Sequence, residues 1–463
     1  MSKDRDAMSS IWIPRGLSRR DFLRVGGLGA LAVAGSAIVP ATLARSPQVT
    51  RRAATQTVIP SSPSAEVFAH LAATDGHILL PGRGSPNPPG NGAGDPIYMF
   101  GFVRVPPIPP DTTPVTLNEL DVYKGAVQFP GPIIAVDQDS DVYLTLTNIG
   151  LVVRPDLDDS HTIHWHGFSN ATSIFDGVPE VSIAVPVGRD FPYYYVPHRA
   201  GTFMYHCHFE DVEHIQMGMT GIVYVRPAQN ETSLGGFDKF AYNDGDGSTG
   251  FVREFALLLN EIWTTPHDNL EAIQETVWPD YSANYWTING RSYPDTLLPN
   301  NDGSLPAQPV SSLIQVNGGD RVLLRFANLG YEQQAMQLPG IRMTVAGEDA
   351  ALLRGPGGAD LSYDTSTVYI GPGEARDVLF TAPPFDGTLP YATDAYGNYN
   401  VYRLKNRNLH RLTNGGMSDL GGQVTEIWVY NDSGISGLDP QMHPNETYPE
   451  YAPAAPYFDP WIA

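Results

Sequence analysis

Cysteine is almost absent from this chain: Cys207 is the only one in 463 residues, so a disulfide within the chain is excluded. Basic residues are scarce too. The 28 Lys and Arg are outnumbered by 50 Asp and Glu, for a net charge of −22, which argues against nucleic acid or an anionic membrane as a partner. The apolar run from Val25 to Val39 is too short and too rich in glycine to span a bilayer.

Glycine, proline and aromatic residues are plentiful, with 46 Gly, 41 Pro and 10% aromatics. This balance, with few charged residues, favours a loop-rich β protein over a helical one. The length suffices for two or three domains with a sizeable core.

The N-terminus has the features of a targeting segment. Arg19 and Arg20 precede Asp21, Phe22 and Leu23, and a mildly apolar run follows. The pattern resembles a twin-arginine export signal, predicted to cover residues 1–44. We therefore expect a periplasmic, secreted or cell-surface protein. Residues 45–95 show turn chemistry and little pattern, and are predicted to form an irregular extension.

Two β-rich units follow. Residues 96–228 contain short period-two runs such as Asp141–Asn148, which predict one antiparallel sandwich. A polar linker is expected at 229–251, a second sandwich at 252–432 and a surface tail at 433–463. The segment 136–150 matches 316–330 in a shared V-x5-V-x-L-x3-N-x-G pattern, which indicates two copies of one fold. The predicted fold class is all-β with two tandem sandwiches.

The chemistry concentrates around the single cysteine. His206 and His208 flank Cys207, His214 follows seven residues later, and Met219 lies five beyond that. A thiolate, imidazoles and a thioether form the ligand set of a blue copper site. Met217 competes with Met219 as the axial ligand, and the spacing from His214 favours Met219.

A second stretch supplies the histidine that this set lacks. It contains His161, His164 and His166. Side chains along a strand point alternately to its two faces. His161 is therefore expected on the face opposite to His164 and His166, as Cys207 is opposite to His206 and His208. This arrangement pairs His161 with Cys207 at one copper. The remaining histidines face the other way and predict a second metal pocket, formed by His164, His166, His206 and His208.

These motifs resemble those of the multicopper oxidases, the family of laccases and their relatives. The H-x2-H-x-H-G stretch from His161 and the H-C-H stretch from His206 are similar to two family motifs. Segments 128–132 and 175–179 are similar to two further ones. The resemblance implies Greek-key cupredoxin sandwiches, a blue type 1 copper and a type 2/type 3 histidine copper cluster. It also implies an enzyme that takes single electrons from a small organic donor and reduces O2 to water, with Asp176 as a candidate proton relay.

Two features depart from that family. The spacing between Cys207 and His214 is seven rather than five, which a longer loop accommodates. A family cluster takes eight histidines, four from each of two domains, and this chain shows only four. The missing half is expected from another subunit, in a homo-oligomer such as a trimer, or from His267, His410 or His443. The second domain is predicted to carry no copper.

Two other functions remain open. A copper nitrite reductase also pairs a blue site with a histidine site at a subunit boundary, but His164 and His208 are unexpected in that family. An electron carrier with a decayed second site would explain the bare second domain, yet it leaves four histidines without a role.

Overall fold

The computed structural model describes residues 66–82, 96–108, 117–431, 437–448 and 457–458. The predicted export signal at 1–44 lies outside these residues. None of the helices within the described ranges has the length and apolar character needed to cross a bilayer.

Between residues 66 and 226, the described part of the first sandwich contains eight strands and two short helices. The strands are β1 Glu66–Ile78, β2 Ile97–Arg104, β3 Ile133–Asp137, β4 Asp141–Asn148, β5 His164–His166, β6 Arg189–Tyr195, β7 Gly201–His206 and β8 Thr220–Arg226. The helices are α1 Leu117–Leu120 and α2 Asp211–Met217. Single 3-10 turns lie at Asp121–Tyr123, Ser173–Phe175 and Ala228–Glu231.

Two short strands and a second sandwich follow. The short strands are β9 Lys239–Phe240 and β10 Gly250–Phe251. The sandwich strands are β11 Arg253–Ile262, β12 Tyr285–Ile288, β13 Ile314–Asn317, β14 Arg321–Asn328, β15 Gln334–Gln337, β16 Met343–Glu348, β17 Ala351–Leu352, β18 Tyr363–Thr365, β19 Thr367–Ile370, β20 Ala375–Thr381, β21 Tyr391–Asp394, β22 Gly397–Asn406 and β23 Val424–Tyr430. Helix α3 spans Thr264–Glu271, 3-10 turns lie at Trp278–Asp280, Asp295–Leu297 and Leu409–Arg411, and β24 is Tyr457–Phe458.

The two sandwiches share one strand plan. In the first, the sheets run β2-β1-β4-β6 and β24-β3-β8-β7-β5. In the second, β12-β11-β14-β20-β16-β17 faces β13-β23-β22-β15-β19, with β18 and β21 attached at the side. β4 and β14, the strands of the sequence repeat, each have a parallel partner on one side and an antiparallel partner on the other. The prediction of an all-β chain with two copies of one sandwich is confirmed.

An apolar layer joins the sandwiches. Ile133, Met204 and Ile222 of the first pack against Leu258 and Ala375 of the second. Sheet β3-β8-β7, which carries the cysteine strand, is therefore covered by sheet β11-β14-β20. A buried polar joint lies in the same layer.

That joint is centred on Asp377, which is 1% exposed. Its carboxylate accepts hydrogen bonds from the hydroxyls of Thr202 in β7 and Tyr242 in the linker. Arg325 completes the joint, with its guanidinium between Asp377 and Glu254. Because Thr202 begins the strand that leads to Cys207, the second sandwich holds that strand in place.

Two predictions about the chain ends need correction. Residues 45–95 are not irregular throughout, because β1 lies within them and pairs with β2 and β4 in the centre of a sheet. The first sandwich therefore begins by Glu66 rather than at residue 96. The tail is not only a surface segment: Asn445 is 1% exposed and its amide donates to the carbonyl of Ala256 in β11.

Candidate metal centres

Strands β5 and β7 bring the two histidine motifs together. They pair antiparallel, with His164 opposite His206. The turn that follows at 176–177 packs onto β5 so closely that a Cβ on Gly177 would lie 2.1 Å from the carbonyl oxygen of Ile163. Glycine is required there for space as well as for its positive φ of 75°, because no other side chain fits.

One centre lies around the thiol of Cys207. The Sγ atom is 3.3 Å from Nδ1 of His214 and 3.9 Å from Nδ1 of His161. All three side chains are buried, at 0–1% exposure. The backbone N–H of Thr162 also points at the sulfur, at 3.4 Å. One thiol and two imidazole nitrogens thus converge in a buried pocket. They belong to the three residues that the sequence predicted for one copper.

The methionine candidates lie against the same pocket. The N–H of Cys207 donates to the carbonyl of Met219 at 3.1 Å, which places Met219 beside Cys207, just before β8 begins at Thr220. Met217, the last residue of α2, is buried in the same apolar cluster. The longer spacing between Cys207 and His214 is taken up by α2, a helix of seven residues.

The electrostatics of this pocket favour a cation. Burial works against a charged His214, but the Cys207 sulfur and the carboxylate of Asp159 outweigh it and raise the pKa of His214 to about 10. Burial and the charge of His214 lower the pKa of His161 well below its usual range. Asp159 Oδ2 lies 3.9 Å from Nε2 of His214. Asp159 was not predicted as part of the site, although its carboxylate lies only two residues before His161 in the sequence.

The second centre is a cluster of four imidazoles. The ring of His164 lies 5.2 Å from the rings of His206 and His208 and 5.7 Å from that of His166. Nδ1 of His166 is 3.3 Å from Nε2 of His206. Burial lowers the pKa of His164, of His166 and of His206, the last to about 3. Neutral imidazoles with free lone pairs are the form that binds a metal.

Backbone carbonyls orient these rings. The Nδ1–H of His164 donates to the carbonyl of Asp176 at 2.6 Å, and that of His206 donates to the carbonyl of Cys207 at 2.8 Å. Both rings therefore turn Nε2 toward the cluster, as second-shell bonds to a ligand histidine usually arrange. The Asp176 carboxylate lies 3.5 Å from Nδ1 of His164. Asp176 is thus placed beside the cluster that it is predicted to serve.

The second sandwich also touches this cluster. His166 is hydrogen-bonded to the backbone of Gly373, and a Cβ on Gly373 would lie 2.9 Å from Nε2 of His166. Sequence analysis gave no sign of this contact, because Gly373 lies in an ordinary Pro-Gly turn of the other domain.

The second sandwich has no counterpart of either centre among its described residues. The N–H of Asn406 donates to the carbonyl of Gln423, as that of Cys207 does to Met219. The strand pairs place Gln334 where the first sandwich has His161. The same strand pairing places other residues at three of the four clustered histidines. The positions of His164, His206 and His208 are held by Gln337, Lys405 and Arg407.

Two of the three histidines proposed for the missing half, His267 and His410, lie elsewhere. His267 is buried in α3, with Nδ1 donating to the carbonyl of Tyr98. The ring of His410 packs against Trp286 in the second sandwich. Neither is placed in the four-histidine cluster.

The donor sets fit copper. A thiolate with two imidazoles in a dry pocket suits a blue site, and a cluster of neutral imidazoles suits type 2 or type 3 copper. Nδ1 of His214, the nitrogen that faces the sulfur, would be the copper-binding atom, and the carboxylate of Asp159 lies on the Nε2 side of the ring.

Comparison with known proteins agrees with the donor sets. Two models of the multicopper oxidase family match residues 113–230 and 253–408, together more than half of the chain. A rice (Oryza sativa subsp. japonica) protein, Laccase-3, is 28% identical over 262 residues, 55% of this chain and 39% of its own length. The chain thus spans about two fifths of the length of the plant laccase it matches.

Solved structures support the fold. The blue copper oxidase of Nitrosomonas europaea superposes with a TM-score of 0.54 at 24% identity, over 79% of this chain and 86% of that one. The copper nitrite reductase of the same organism gives 0.50 at 18% identity, over 81% and 98%. These likenesses confirm cupredoxin-like sandwiches but do not separate oxidase from reductase. On its two family matches, the chain belongs to the multicopper oxidases, which are copper-dependent oxidoreductases.

Proposed function

We propose that this protein is an exported multicopper oxidase. It takes single electrons from a small organic donor, such as a phenol, at the Cys207 centre and reduces O2 to water at the histidine cluster. One observation carries this proposal: Cys207 is joined through single peptide bonds to His206 and His208 of the second centre. An electron that arrives at the thiolate therefore has a short covalent path to the cluster.

The roles of the residues follow from their positions. Cys207, His161 and His214 would hold a blue copper, with Met219 as the axial ligand. His164, His166, His206 and His208 would hold half of the oxygen-reducing cluster. Copper supplies the one-electron chemistry that none of these side chains performs alone. The protein buries the first centre, excludes water from it and fixes the imidazole tautomers at the second.

The cluster needs a second contributor, because four histidines are half of the family set. Another copy of the chain is the source that we propose, in a homo-oligomer such as a trimer. Supporting this, His164, His166 and His208 are partly exposed. Exposed apolar side chains at Ile174 and Val181 lie close in sequence to Asp176.

Asp176 is proposed to deliver protons to reduced oxygen. Its carboxylate is partly exposed, so it can exchange protons with solvent while lying beside His164. Asp176→Asn keeps the backbone carbonyl that orients His164 and removes only the proton-carrying group. We expect slower turnover with unchanged copper content, and unchanged turnover would refute this role.

The site of action is proposed from the twin-arginine motif at residues 18–24. Export by that route would place the protein in the periplasm, outside the cell or at its surface. Replacing Arg19 and Arg20 by Lys should retain the protein in the cytoplasm, which fractionation of the expressing cells would detect.

The proposed reaction is tested with the copper-loaded protein and a phenolic donor. We expect donor-dependent O2 uptake that ends at water, without hydrogen peroxide. His208→Ala should abolish O2 uptake while the blue absorption remains. Nitrite reduction in place of O2 uptake would assign the protein to the reductases. The absence of both reactions would indicate an electron carrier.

A further inference from the structure

A series of aromatic rings in the second sandwich ends on the helix that carries His214. The distances between successive ring centroids are 6.2, 5.7 and 5.2 Å. In order, the rings belong to Trp278, Trp263, Tyr281 and Tyr331. The hydroxyl of Tyr331 donates to the carbonyl of Val212 in α2. The series therefore reaches within two residues of a proposed copper ligand.

The outer end of the series is accessible, whereas the ligand is not. His214 is 0% exposed, so a donor in solution does not touch its imidazole. Trp278 is partly exposed, and it is preceded by two apolar side chains, Ile273 at 69% and Val277 at 62% exposure. An aromatic donor can stack on such a surface through its own ring.

The middle of the series has a proton acceptor. The Tyr281 hydroxyl donates to Oε1 of Glu261 at 3.1 Å. Glu261 is 4% exposed, and the N–H groups of Tyr331 and Glu332 fix its carboxylate. Burial raises the pKa of Glu261 to about 7, so the carboxylate can gain and lose a proton near neutral pH. Burial and the charge of Glu261 raise the pKa of Tyr281 far above its usual range.

We propose that Trp278, Trp263, Tyr281 and Tyr331 form an electron relay from an aromatic donor at the surface to the Cys207 centre. The relay rests on the proposed function, which supplies the oxidant as the oxidised copper at that centre. Tyr281 gives one electron toward Tyr331 and α2, and its O–H bond breaks as the proton moves to Glu261. The donor then returns one electron through Trp278 and Trp263, and Glu261 returns the proton, so that only the donor is oxidised.

The relay is tested by the rate at which a phenolic donor bleaches the blue band of the copper-loaded protein under anaerobic conditions. Tyr281→Phe and Tyr331→Phe should each slow the bleaching about tenfold, equivalent to about 1.4 kcal/mol of barrier, with an unchanged blue spectrum. The matched control is Tyr293→Phe, because Tyr293 also donates to a glutamate, Glu426, but lies outside the ring series. The control should bleach at the rate of the unaltered protein.

A second readout needs no copper. Flash oxidation of the copper-free chain by a ruthenium photosensitiser should give a tyrosyl EPR signal that Tyr281→Phe removes and Tyr293→Phe retains. In Glu261→Gln the signal should rise more slowly, since the amide accepts no proton. Equal bleaching rates in the relay variants and the control, or a signal that Tyr281→Phe leaves intact, would overturn the relay. An unaltered protein that binds copper without a blue band would instead overturn the proposed function, and the relay with it.

Discussion

The two sandwiches share a strand plan but differ at the same three positions. Where the first has His161, Cys207 and Met219, the second has Gln334, Asn406 and Gln423. The Asn406 amide donates to Oε1 of Gln334 at 2.9 Å and to Oε1 of Gln423 at 2.7 Å. Arg411 also donates to Oε1 of Gln334, at 2.8 Å.

This difference separates a structural pocket from a metal-binding one. The amides of the second sandwich satisfy one another, so that pocket is complete as a hydrogen-bonded core. The first pocket has no such network: the sulfur of Cys207 faces Nδ1 of His214 at 3.3 Å and Nδ1 of His161 at 3.9 Å. A metal ion bound by the sulfur and the two imidazole nitrogens would take the place of the hydrogen bonds that complete the second pocket.

The largest effect should come from replacing the thiol. Cys207→Ser removes the strong copper–sulfur bond, and we expect complete loss of the blue absorption after copper loading. The matched change in the other pocket, Asn406→Ser, should leave the blue absorption intact and lower the free energy of unfolding instead. Visible spectra and denaturant unfolding of both variants check this. Loss of the blue band in Asn406→Ser would show that the second pocket is part of the metal site.

The next effect concerns the joint between the sandwiches. Asp377→Ala leaves Arg325 buried beside one remaining carboxylate, and it removes the acceptor of Thr202 and Tyr242. Breaking such a buried network costs about 3–5 kcal/mol of unfolding free energy. Asp364→Ala breaks an exposed pair with Arg342 and should cost at most about 1 kcal/mol. Similar losses in both variants would mean that the joint does not hold the sandwiches together.

A pH-dependent effect is expected from Glu261. Its pKa is raised from 4.5 to about 7, so the folded protein binds a proton that the unfolded chain releases. This contribution to stability is full below about pH 4.5 and falls by about 3 kcal/mol as the pH rises to about 7. Glu261→Gln should remove that fall, whereas Glu332→Gln should keep most of it, because burial is the largest cause of the raised pKa and the charge of Glu332 a smaller one. Unfolding at pH 5 and pH 8 measures the difference, and equal pH dependence in all three proteins would contradict the assignment.

The smallest effects should be equal in the two sandwiches. The amides of Asn148 and Asn328 each donate to two carbonyls and accept from the N–H of the glycine two residues later. Each Asn→Ala change should therefore cost about 1–3 kcal/mol. Asn148 also holds the carbonyl of Asp159, so only its loss should shift the blue absorption. Unequal losses of unfolding free energy in the two variants would show that this asparagine stabilises only one of the two sandwiches.

Much of the site was predictable from the sequence, because the alternation of side chains between the two faces of a strand (the parity rule) acts over a few residues. The alternation of His206, Cys207 and His208, matched by the opposite parity of His161 and His164, predicted which side chains would meet. The structure places His161 and Cys207 together as that rule requires, and His214 joins them from α2. The duplicated pattern likewise predicted the second sandwich.

Features that depend on distant partners were not predictable. β1 contains Ala72, Ala73 and Gly76, so it has little alternation, and its strand character comes from β2 and β4 on either side. His70 in β1 is 1% exposed and hydrogen-bonded to Thr147 in β4. The contacts of Asn445 and Gly373 also join segments far apart in sequence, and no local pattern reports such contacts.

The central claim is that one chain carries a blue copper centre linked to a histidine copper cluster. The most direct test is the copper content of the copper-loaded protein, measured together with its visible and EPR spectra and its oligomeric state. We expect a blue band from Cys207 and additional copper at the histidine cluster, part of it as an EPR-silent coupled pair, in an oligomer. One blue copper with one isolated EPR-visible copper, or a single blue copper alone, would contradict it.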